Sequence, residues 1–493
     1  MEEPQAKRVR LSSPTESAVE TGSSKADSTD LYLDTIDRHM LDFDFEKVCS
    51  VSLSQINVYA CLTCGKYYQG RGKTSHAYFH SMDKDHHVFI NLQTLKVYVL
   101  PDGYEVDHAS LNDIKVSTAQ RLKGMHTKDL NMQYVLNPIL TKAQVHQLDT
   151  TLKMSYDLNN KKYLPGFIGL NNVKANDYVN VVIQALAHIP SIRDYFILED
   201  FEKKGSSQLV CRFGALIRKM WNPKAFKGQV SPHELLQEIS NASQKKFKLT
   251  EQSNAIDFLS WFLNTLHKDL GGTRKKNSSI IYKKFQGEVK VESQDFGSAG
   301  APTEKEALLL FDEDKEIKST TSPFLFLALD LPPAPLYQDE KDKEIVPQVP
   351  LTTILAKFDG HKVQEVANQM KRYSITRLPQ FLIFHIKRFN KNSWTSEKNP
   401  TIVNFPIKNL DVSNFTTDPD AEKLGDHYDL LANICHEGKP DAGKGTYKVH
   451  VRHRGTGQWY QIQDLIVEEI MPQMIFMSES YIQIWERKKT TKA

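Results

Sequence analysis

The spacing of apolar positions changes in character about halfway along the chain. Apolar side chains recur three or four positions apart, the period of an amphipathic helix, near residues 177–188, 206–221, 231–242 and 253–270. After Tyr282 the pattern changes to short apolar or alternating runs, which are typical of strands: FLFLALDL, QFLIFHIKRF, DLLANICH, TYKVHVRH and QWYQIQDL. Helices followed by strands, rather than alternating with them, predict an α+β domain over residues 163–490.

The chain before this domain divides into three parts. Residues 1–28 contain no aromatic residue and are rich in Ser, Glu, Thr and Ala, which predicts a disordered tail. Residues 29–128 are rich in His, Cys and aromatic residues, which predicts a small folded domain. Residues 129–162 are interpreted as a linker in which TKAQVHQLDTTLKMSYDL forms a connecting helix.

The amino-acid composition excludes several classes of protein. The chain has 493 residues, 40% apolar and 25% charged, which suits two or three globular domains. Its 63 Lys and Arg against 60 Asp and Glu give a net charge of +3, which argues against a broadly basic nucleic-acid binder. Five cysteines predict no disulfide framework and favour a reducing compartment. The polar N-terminus and the lack of a long apolar run predict neither a signal peptide nor a membrane span.

Three local features are read from charge and turn residues. Lys7, Arg8 and Arg10 in the tail fit a weak nuclear-import patch, but these residues alone favour a solvated tail. Two charged insertions marked by Pro, near residues 293–320 and 333–350, predict surface loops.

The small domain carries a candidate metal site. Cys61 and Cys64 form a CLTC turn that lets two thiolates converge on one ion. Four histidines follow in SHAYFHSMDKDHH: His76, His80, His86 and His87. Two cysteines and two histidines make a tetrahedral zinc shell, so the spacing predicts zinc without deciding which histidines bind.

These residues resemble the ubiquitin-protease-type zinc finger. Members of that family interleave two zinc sites, and the resemblance assigns one structural ion to Cys61, Cys64, His80 and His86. The second set falls on Cys49, Ser52, Gln69 and His76, where a hydroxyl and an amide replace two ligands. The resemblance therefore implies one zinc ion, with the second site empty.

In many relatives the finger captures the C-terminal carboxylate of ubiquitin with an Arg and aromatic walls. Arg71 matches that Arg, but Tyr59 stands where the family has Trp, and the closing strand reads VYVLPDGY. Ubiquitin binding by this finger is therefore doubtful, and a role as a protein-docking surface is favoured.

The large domain resembles the ubiquitin-specific proteases, which have a papain-like fold. The signature GLxNxGNTCYMNSxLQxL corresponds to GLNNVKANDYVNVVIQAL, starting at Gly169. Four further boxes follow in order: EQSNAIDFLSWFL, FQG, RLPQFLIFHIKRF and NFP. The resemblance implies a papain-like α+β fold preceded by the finger. The paired cysteines with which active relatives form a ribbon are missing after FQG, where the next cysteine is Cys435.

The residues that catalyse cleavage in this family are replaced. Cleavage needs a thiolate, a histidine base and a group that orients the imidazole. The corresponding positions hold Asp177, Thr446 and Gln463, and only the oxyanion-type Asn172 is retained. We therefore predict a pseudoenzyme. An aspartate also suits a helix N-terminus, where its carboxylate can cap free N–H groups.

Nearby groups offer no substitute for these residues. Cys435 and His436 are adjacent on a predicted strand, so their side chains point to opposite faces, and Cys435 is interpreted as core. His450 lies four strand residues from Thr446, roughly 13 Å along the strand, too far to serve the nucleophile position. A carboxylate nucleophile at Asp177 lacks a base or second carboxylate at suitable spacing.

Within the family, the chain is similar to inactive members that act in the spliceosome. This resemblance implies a nuclear, non-catalytic scaffold that supports assembly or stability of the U4/U6.U5 tri-snRNP through protein contacts, with only minor contact to snRNA. Two alternatives remain: a weakly active deubiquitinase, and an adaptor that binds ubiquitin without cutting it.

Overall fold

The computed structural model describes most of the chain after the first thirty residues. The described residues are 32–41, 43, 47–118, 142–148, 150, 153–157, 161–201, 203–223, 228–295, 311, 316–333, 346–366, 369–391, 396–419, 425–439 and 444–488. The predicted tail with Lys7, Arg8 and Arg10, most of the linker and most of both predicted insertions lie outside them. The boundaries near residues 28 and 128 therefore stay predictions.

The small domain is a five-stranded antiparallel sheet with a helix on one face. Its elements are β1 Val58–Cys61, β2 Tyr67–Gln69, α1 His76–Lys84, β3 Val88–Asn91, β4 Val97–Val99, β5 Tyr104–Val106 and α2 Asn112–Thr118. The strands lie in the order β2-β1-β3-β4-β5. Alternate residues of β1 face opposite sides: Val58 and Ala60 pack in one apolar cluster, whereas Tyr59 and Cys61 pack in another, against α1.

The connecting segment is only partly helical. Helix α3 covers Lys142–Gln147, and Ser155–Tyr156 (β6) already pairs as a strand with Lys162–Tyr163 (β7). The prediction of one helix over the whole segment is therefore wrong. The residues that follow α3, Leu-Asp-Thr-Thr, include weak helix formers, and apolar spacing alone did not reveal this.

The first half of the large domain is helical, as predicted. Its elements are β8 Gly169–Leu170, α4 Asp177–Ala187, α5 Pro190–Leu198, α6 Gln208–Met220, β9 Gln229–Val230, α7 His233–Ala242, α8 Ala255–Asp269 and α9 Ile280–Phe285. Every residue of α4 is buried, so this helix runs through the centre of the domain. The four predicted helices are confirmed as α4, α6, α7 and α8.

The second half supplies the strands. They are β10 Gly287–Asp295, β11 Lys318–Phe324, β12 Leu327–Asp330, β13 Gln348–Pro350, β14 Gln364–Val366, β15 Gln369–Arg377, β16 Phe381–Lys387, β17 Phe389–Lys391, β18 Ser396–Lys398, β19 Ile402–Asn404, β20 Leu410–Asp411, β21 His427–Gly438, β22 Gly445–Arg452, β23 Trp459–Gln463, β24 Ile466–Ile470 and β25 Ser480–Arg487. Helices α10 (Leu351–Leu355) and α11 (Pro472–Phe476) lie between them. At the edges of the predicted insertions, β10, β11 and β13 are strands rather than loops.

Two sheets contain most of these strands, while β13 pairs with β19 and β17 with β18. One has the order β11-β10-β15-β14, and the larger has β12-β16-β25-β21-β22-β23-β24 with β20 beside β21. Strand β16 shows how the larger sheet separates two cores: Phe381 and Ile383 pack with the helices, whereas Leu382 and Phe384 pack on the opposite face. The predicted α+β architecture is confirmed.

Helix α4 lies against β22, and this contact brings residues that are far apart in the sequence to one place. Within the described part of the chain, no single helix is long and apolar enough to cross a membrane. The pair α4 and α5, bent by 88°, passes the same test on length and composition alone.

Candidate zinc centre and replaced nucleophile position

The four predicted zinc ligands converge in the finger. The ligand atoms of Cys61, Cys64, His80 and His86 all lie within 4.8 Å of one another. Cys61 Sγ is 3.6 Å from His86 Nδ1, Cys64 Sγ is 3.4 Å from His80 Nε2, and the two ring nitrogens are 3.1 Å apart. These separations suit atoms placed about 2.0–2.3 Å from one tetrahedral ion, so the donor set fits zinc.

Three local structures place the ligands. Cys61 ends β1, and the turn to Cys64 closes with a hydrogen bond from the N–H of Gly65 to the carbonyl of Cys61. Gly65 has φ +71°, and an added Cβ would lie 2.1 Å from the carbonyl oxygen of Met40, so this turn requires glycine. His80 lies in α1 and stacks on Tyr68, with 4.2 Å between the ring centroids.

The protonation states also suit a metal. A hydrogen bond from Cys61 lowers the pKa of Cys64 to about 4, which favours a thiolate there, whereas the same bond raises the pKa of Cys61, so without an ion the two sulfurs share one proton. Burial lowers the pKa of His80, so its ring is held in the neutral form that a metal requires.

The second ligand set does not form a comparable donor shell. Cys49 Sγ accepts backbone N–H groups from Val51, Ser52 and Gln69 at 3.2–3.5 Å. The Ser52 hydroxyl donates to Gln69 Oε1 at 2.8 Å, so the two replacement side chains satisfy each other. In this set the sulfur thus accepts N–H groups, and the hydroxyl and amide bond each other.

The guanidinium of Arg71, predicted to match the Arg that binds the ubiquitin tail, contacts other residues of the finger. It lies 4.2 Å from the centroid of the Tyr98 ring and donates to the carbonyl of Gly103 at 3.4 Å. Tyr59 packs edge-on against the same Tyr98 ring. Tyr98 belongs to the altered VYV strand, so the Arg is held by the segment that departs from the family pattern.

In the large domain, Asp177 is buried and joins three segments. Its Oδ2 accepts hydrogen bonds from Gln252 Nε2 at 2.7 Å and from the backbone N–H of Tyr447 at 3.0 Å. Gln252 Nε2 also donates to the carbonyl of Gly445 at 2.9 Å. The N-cap residue of α4 is Asn176. The carboxylate therefore connects α4, β22 and the segment before α8, and the predicted helix capping by Asp177 is not confirmed.

Burial is the main influence on the charge of Asp177. Removal from water raises the pKa of this carboxyl, the nearby carboxylate of Asp464 adds to the increase, and the hydrogen bonds from Gln252 and Tyr447 partly oppose it. An acid with a raised pKa and no adjacent imidazole is a poor nucleophile.

The residues predicted at the other two triad positions form no hydrogen bond with Asp177 in the described part of the chain. Thr446 is exposed, and Gln463 is half-buried at the end of β23. Asn172 Nδ2, the retained oxyanion-type amide, donates to Asp464 Oδ2 at 2.9 Å, and Asn180 Nδ2 donates to Asp464 Oδ1 at 3.0 Å. Both amides are therefore held by the carboxylate of Asp464.

Cys435 is core, as predicted, with a partner that the sequence did not reveal. It is completely buried, and its Sγ lies 3.1 Å from Ser478 Oγ and 3.8 Å from His450 Nδ1. Burial raises the pKa of Cys435 to about 11 and lowers that of His450 to about 4. Neutral thiol and neutral imidazole are thus favoured, and His436 packs elsewhere, against Phe389 and Tyr447.

Sequence reasoning did not identify three residues of this site. Gln252, Asn180 and Asp464 each lie in or directly after a family box, which was the available signal. Their roles depend on contacts between residues 75 to 292 positions apart, and no local pattern encodes such contacts.

Comparison with known proteins identifies both domains. The family model described as "Ubiquitin carboxyl-terminal hydrolase" matches residues 168–485, and the model described as "Zn-finger in ubiquitin-hydrolases and other protein" matches residues 49–111.

Similarity to individual relatives extends over nearly the whole chain. "Ubiquitin carboxyl-terminal hydrolase 39" of Homo sapiens is 50% identical, over 93% of this chain and 80% of its own length. "Probable mRNA-splicing protein ubp10" of Schizosaccharomyces pombe is 48% identical, over 93% and 89%. The solved structure titled "Crystal structure of an essential yeast splicing factor" aligns with a TM-score of 0.67 at 29% identity, over 93% of this chain and all of that one. The chain belongs to the ubiquitin carboxyl-terminal hydrolase family and carries that family's zinc finger at its N-terminal side.

Proposed function

We propose that this protein acts in pre-mRNA splicing as a non-catalytic scaffold that supports assembly or stability of the U4/U6.U5 tri-snRNP through protein contacts. The observation that carries the proposal is the end-to-end similarity to ubp10, named as a probable mRNA-splicing protein, and to an essential yeast splicing factor. Both similarities cover the finger and the large domain together, so the two domains act as one unit. A splicing role places the protein in the nucleus.

The absence of catalysis is part of the proposal. Its main support is that Asp177, at the nucleophile position, is hydrogen-bonded by Gln252 and by the N–H of Tyr447. A carboxylate held in this way has no base beside it to activate water or a nucleophile.

We also propose that Cys61, Cys64, His80 and His86 hold one structural zinc ion. Zinc would bind the two thiolates and two imidazoles and would fix α1 against β1 and the loop before β3, which supplies His86. Because four protein ligands complete the tetrahedral shell, no position is left for water or substrate, and the ion stabilises the fold only.

The proposed partners are spliceosomal proteins rather than ubiquitin. The contacts of Arg71 with Tyr98 and Gly103 support this assignment, because a guanidinium already held by an aromatic ring and a carbonyl must release them to bind a carboxylate. Contact with snRNA would be minor, since the net charge of the chain is only +3.

Add-back to a depleted extract tests the splicing role. Nuclear extract depleted of the endogenous homologue is supplemented with the purified, zinc-loaded full chain, and tri-snRNP is measured by gradient sedimentation and splicing by reporter RNA. We expect both to be restored. Failure to restore either at concentrations matching the endogenous protein overturns the proposal.

The first alternative, a weak deubiquitinase, is tested by measuring turnover of a fluorogenic ubiquitin C-terminal substrate with the protein at a concentration equal to that of the substrate. Release above the buffer rate that disappears in Asp177→Ala overturns the proposal that the protein is non-catalytic.

Titration of labelled ubiquitin tests the adaptor alternative. Saturable binding that is lost in Arg71→Ala would favour the adaptor, since Arg71 is the family's tail-binding residue.

A further inference from the structure

Strand β24 lies at the open edge of the larger sheet. It pairs with β23 on one side, and no described strand pairs with its other side. Val467 and Ile470 pack against the two cores, so the strand is firmly attached to the domain. An attached edge strand presents a row of backbone N–H and C=O groups that can accept another strand.

The side chains along this edge have a distinct charge pattern. Glu468 and Glu469 are exposed neighbours, and neither forms an ion pair with a Lys or Arg among the described residues. From the described residues, Glu469 accepts a single side-chain hydrogen bond, from the amide Gln458 Nε2 at 2.9 Å. Ile466, two positions before Glu468, is 57% exposed. The edge therefore combines two uncompensated negative charges with an uncovered aliphatic side chain.

An apolar stripe continues from the end of the strand. Met471, Met474 and Met477 are 72%, 58% and 74% exposed, and their spacing places them on one side of α11. Ser478, directly after them, donates to the carbonyl of Ile475 at 2.6 Å and fixes the end of this turn. Methionine is flexible and polarizable, and it is common on surfaces that bind other proteins.

We propose that the β24 edge, with Glu468, Glu469 and the methionine stripe, is a docking site for an extended segment of a partner protein that carries two adjacent basic residues between apolar ones. Residues directly opposite each other on paired strands lie on the same face of the sheet. Basic residues opposite Glu468 and Glu469 must therefore be neighbours in sequence, with apolar residues opposite Ile466 and Ile470. This inference rests on the proposed scaffold function and specifies the chemistry of one partner.

A second copy of this chain is disfavoured at the edge in the two registers that centre the pair on its carboxylates. An antiparallel copy centred between Glu468 and Glu469 places these carboxylates opposite each other, and an in-register parallel copy does the same. Like charges directly opposite each other destabilise a strand pair. A basic segment removes this repulsion and forms the same backbone hydrogen bonds.

Peptide binding to the purified, zinc-loaded full chain tests the site. The probe is the fluorescent peptide Thr-Val-Lys-Arg-Thr-Val-Thr, and the control peptide has Glu-Glu in place of Lys-Arg. We expect saturable binding of the basic peptide only, with slower amide hydrogen exchange in residues 466–470. No binding, or binding without protection of these amides, overturns the proposal.

Charge reversal identifies the site within the protein. The double variant Glu468→Lys/Glu469→Lys changes exposed side chains, so the fold should be retained. We expect the basic peptide to bind about tenfold or more weakly and the Glu-Glu peptide to bind in its place. The matched control is Glu365→Lys, because Glu365 is an exposed carboxylate on β14, the edge of the other sheet. An equal loss in the control, or unchanged binding in the double variant, contradicts the assignment.

The same variants separate this proposal from the splicing role. If the double variant neither binds the basic peptide nor restores tri-snRNP in the depleted extract, the β24 edge is required for the scaffold function. A double variant that restores tri-snRNP fully refutes the link although the scaffold function stands. Wild-type protein that binds the peptide but fails in add-back refutes the scaffold function alone. Sedimentation of the wild-type chain as a dimer that the double variant abolishes would assign the edge to a second copy instead.

Discussion

The zinc-ligand cluster and the nucleophile position differ in what remains of each family pattern. In the finger, one set of four ligands is complete, and its atoms converge within 4.8 Å. At the start of α4, Asp177 stands at the predicted nucleophile position and accepts hydrogen bonds from Gln252 and Tyr447. On the proposed function, the first site keeps its metal chemistry and the second keeps only its fold.

This difference follows from what each site contributes to folding. A small finger depends on its ion, because metal binding supplies a large part of the free energy of folding. The frame around α4 depends on packing of its eleven buried residues, and a nucleophile contributes nothing to that packing. A nucleophile could therefore be replaced at position 177 without unfolding the large domain, whereas we expect the loss of a zinc ligand to unfold the finger.

The largest expected effect comes from removing a zinc ligand. We expect Cys64→Ser and His80→Ala to lose the ion and to unfold the finger, because structural zinc contributes on the order of 10 kcal/mol in isolated fingers. Zinc content by mass spectrometry and limited proteolysis measure the result. Cys49→Ser is the control and should retain one ion per chain. A second equivalent of zinc, or full zinc retention in Cys64→Ser, would break the contrast between the two ligand sets.

The next largest effect is a loss of stability at acid pH, which we expect from two buried histidines of the large domain. Burial lowers the pKa of His436 and of His450 to about 4. A depressed pKa stabilises the fold above the unfolded value near 6.5, and this contribution is lost as pH falls from about 6.5 to 4. For His450 the loss is on the order of 3 kcal/mol.

Tryptophan emission against denaturant measures this acid sensitivity separately from zinc loss, because all five tryptophans follow residue 163. We expect His450→Gln to have a shallower decline in unfolding free energy between pH 6.5 and 4. If the decline in unfolding free energy were the same in wild type and His450→Gln, the burial of His450 would not lower its pKa in the folded state.

A smaller effect is expected from Gln252→Ala, which removes one donor from Asp177 and one from Gly445. The buried acceptors are left short of partners, so unfolding free energy should fall by about 1–3 kcal/mol. Gln237→Ala, an exposed glutamine, is the control and should change it by less than about 0.5 kcal/mol. Equal effects in the two variants would show that the Asp177 connection contributes nothing to stability.

The smallest expected effect is the pH dependence of Asp177→Asn. The pKa of Asp177 is raised by burial, so the folded state holds this proton to higher pH than the unfolded state does. Wild type should therefore lose stability relative to Asp177→Asn as pH rises from about 4. Parallel melting curves across this range would indicate a carboxylate that folding leaves unperturbed.

Much of the fold was accessible from the sequence because it is encoded locally. Helices α4, α6, α7 and α8 follow from apolar spacing, and the zinc ligands follow from a short motif and its resemblance to a family. The connecting helix was predicted too long, because apolar spacing does not weigh the poor helix formers after Gln147.

The interior of the site was not accessible in the same way. Gln252 and Tyr447 meet Asp177 only after α4 packs against β22, and Cys435 meets His450 through the register of β21 and β22. These contacts are properties of the assembled fold. A single sequence shows which side chains are present but not which of them contact each other in the folded chain.

The hydrogen bonds to Asp177 also bear on the direction of evolution. A cysteine at this position would offer a weak sulfur acceptor to two buried donors, the amide of Gln252 and the N–H of Tyr447. Such a step costs about 1–3 kcal/mol, and on the proposed non-catalytic function it restores no reaction, because Thr446 and Gln463 are predicted to hold the positions of the base and its orienting group. A return to cleavage would then lower stability before it restored any activity, so we expect a lineage that carries this carboxylate to keep a non-catalytic use of the fold.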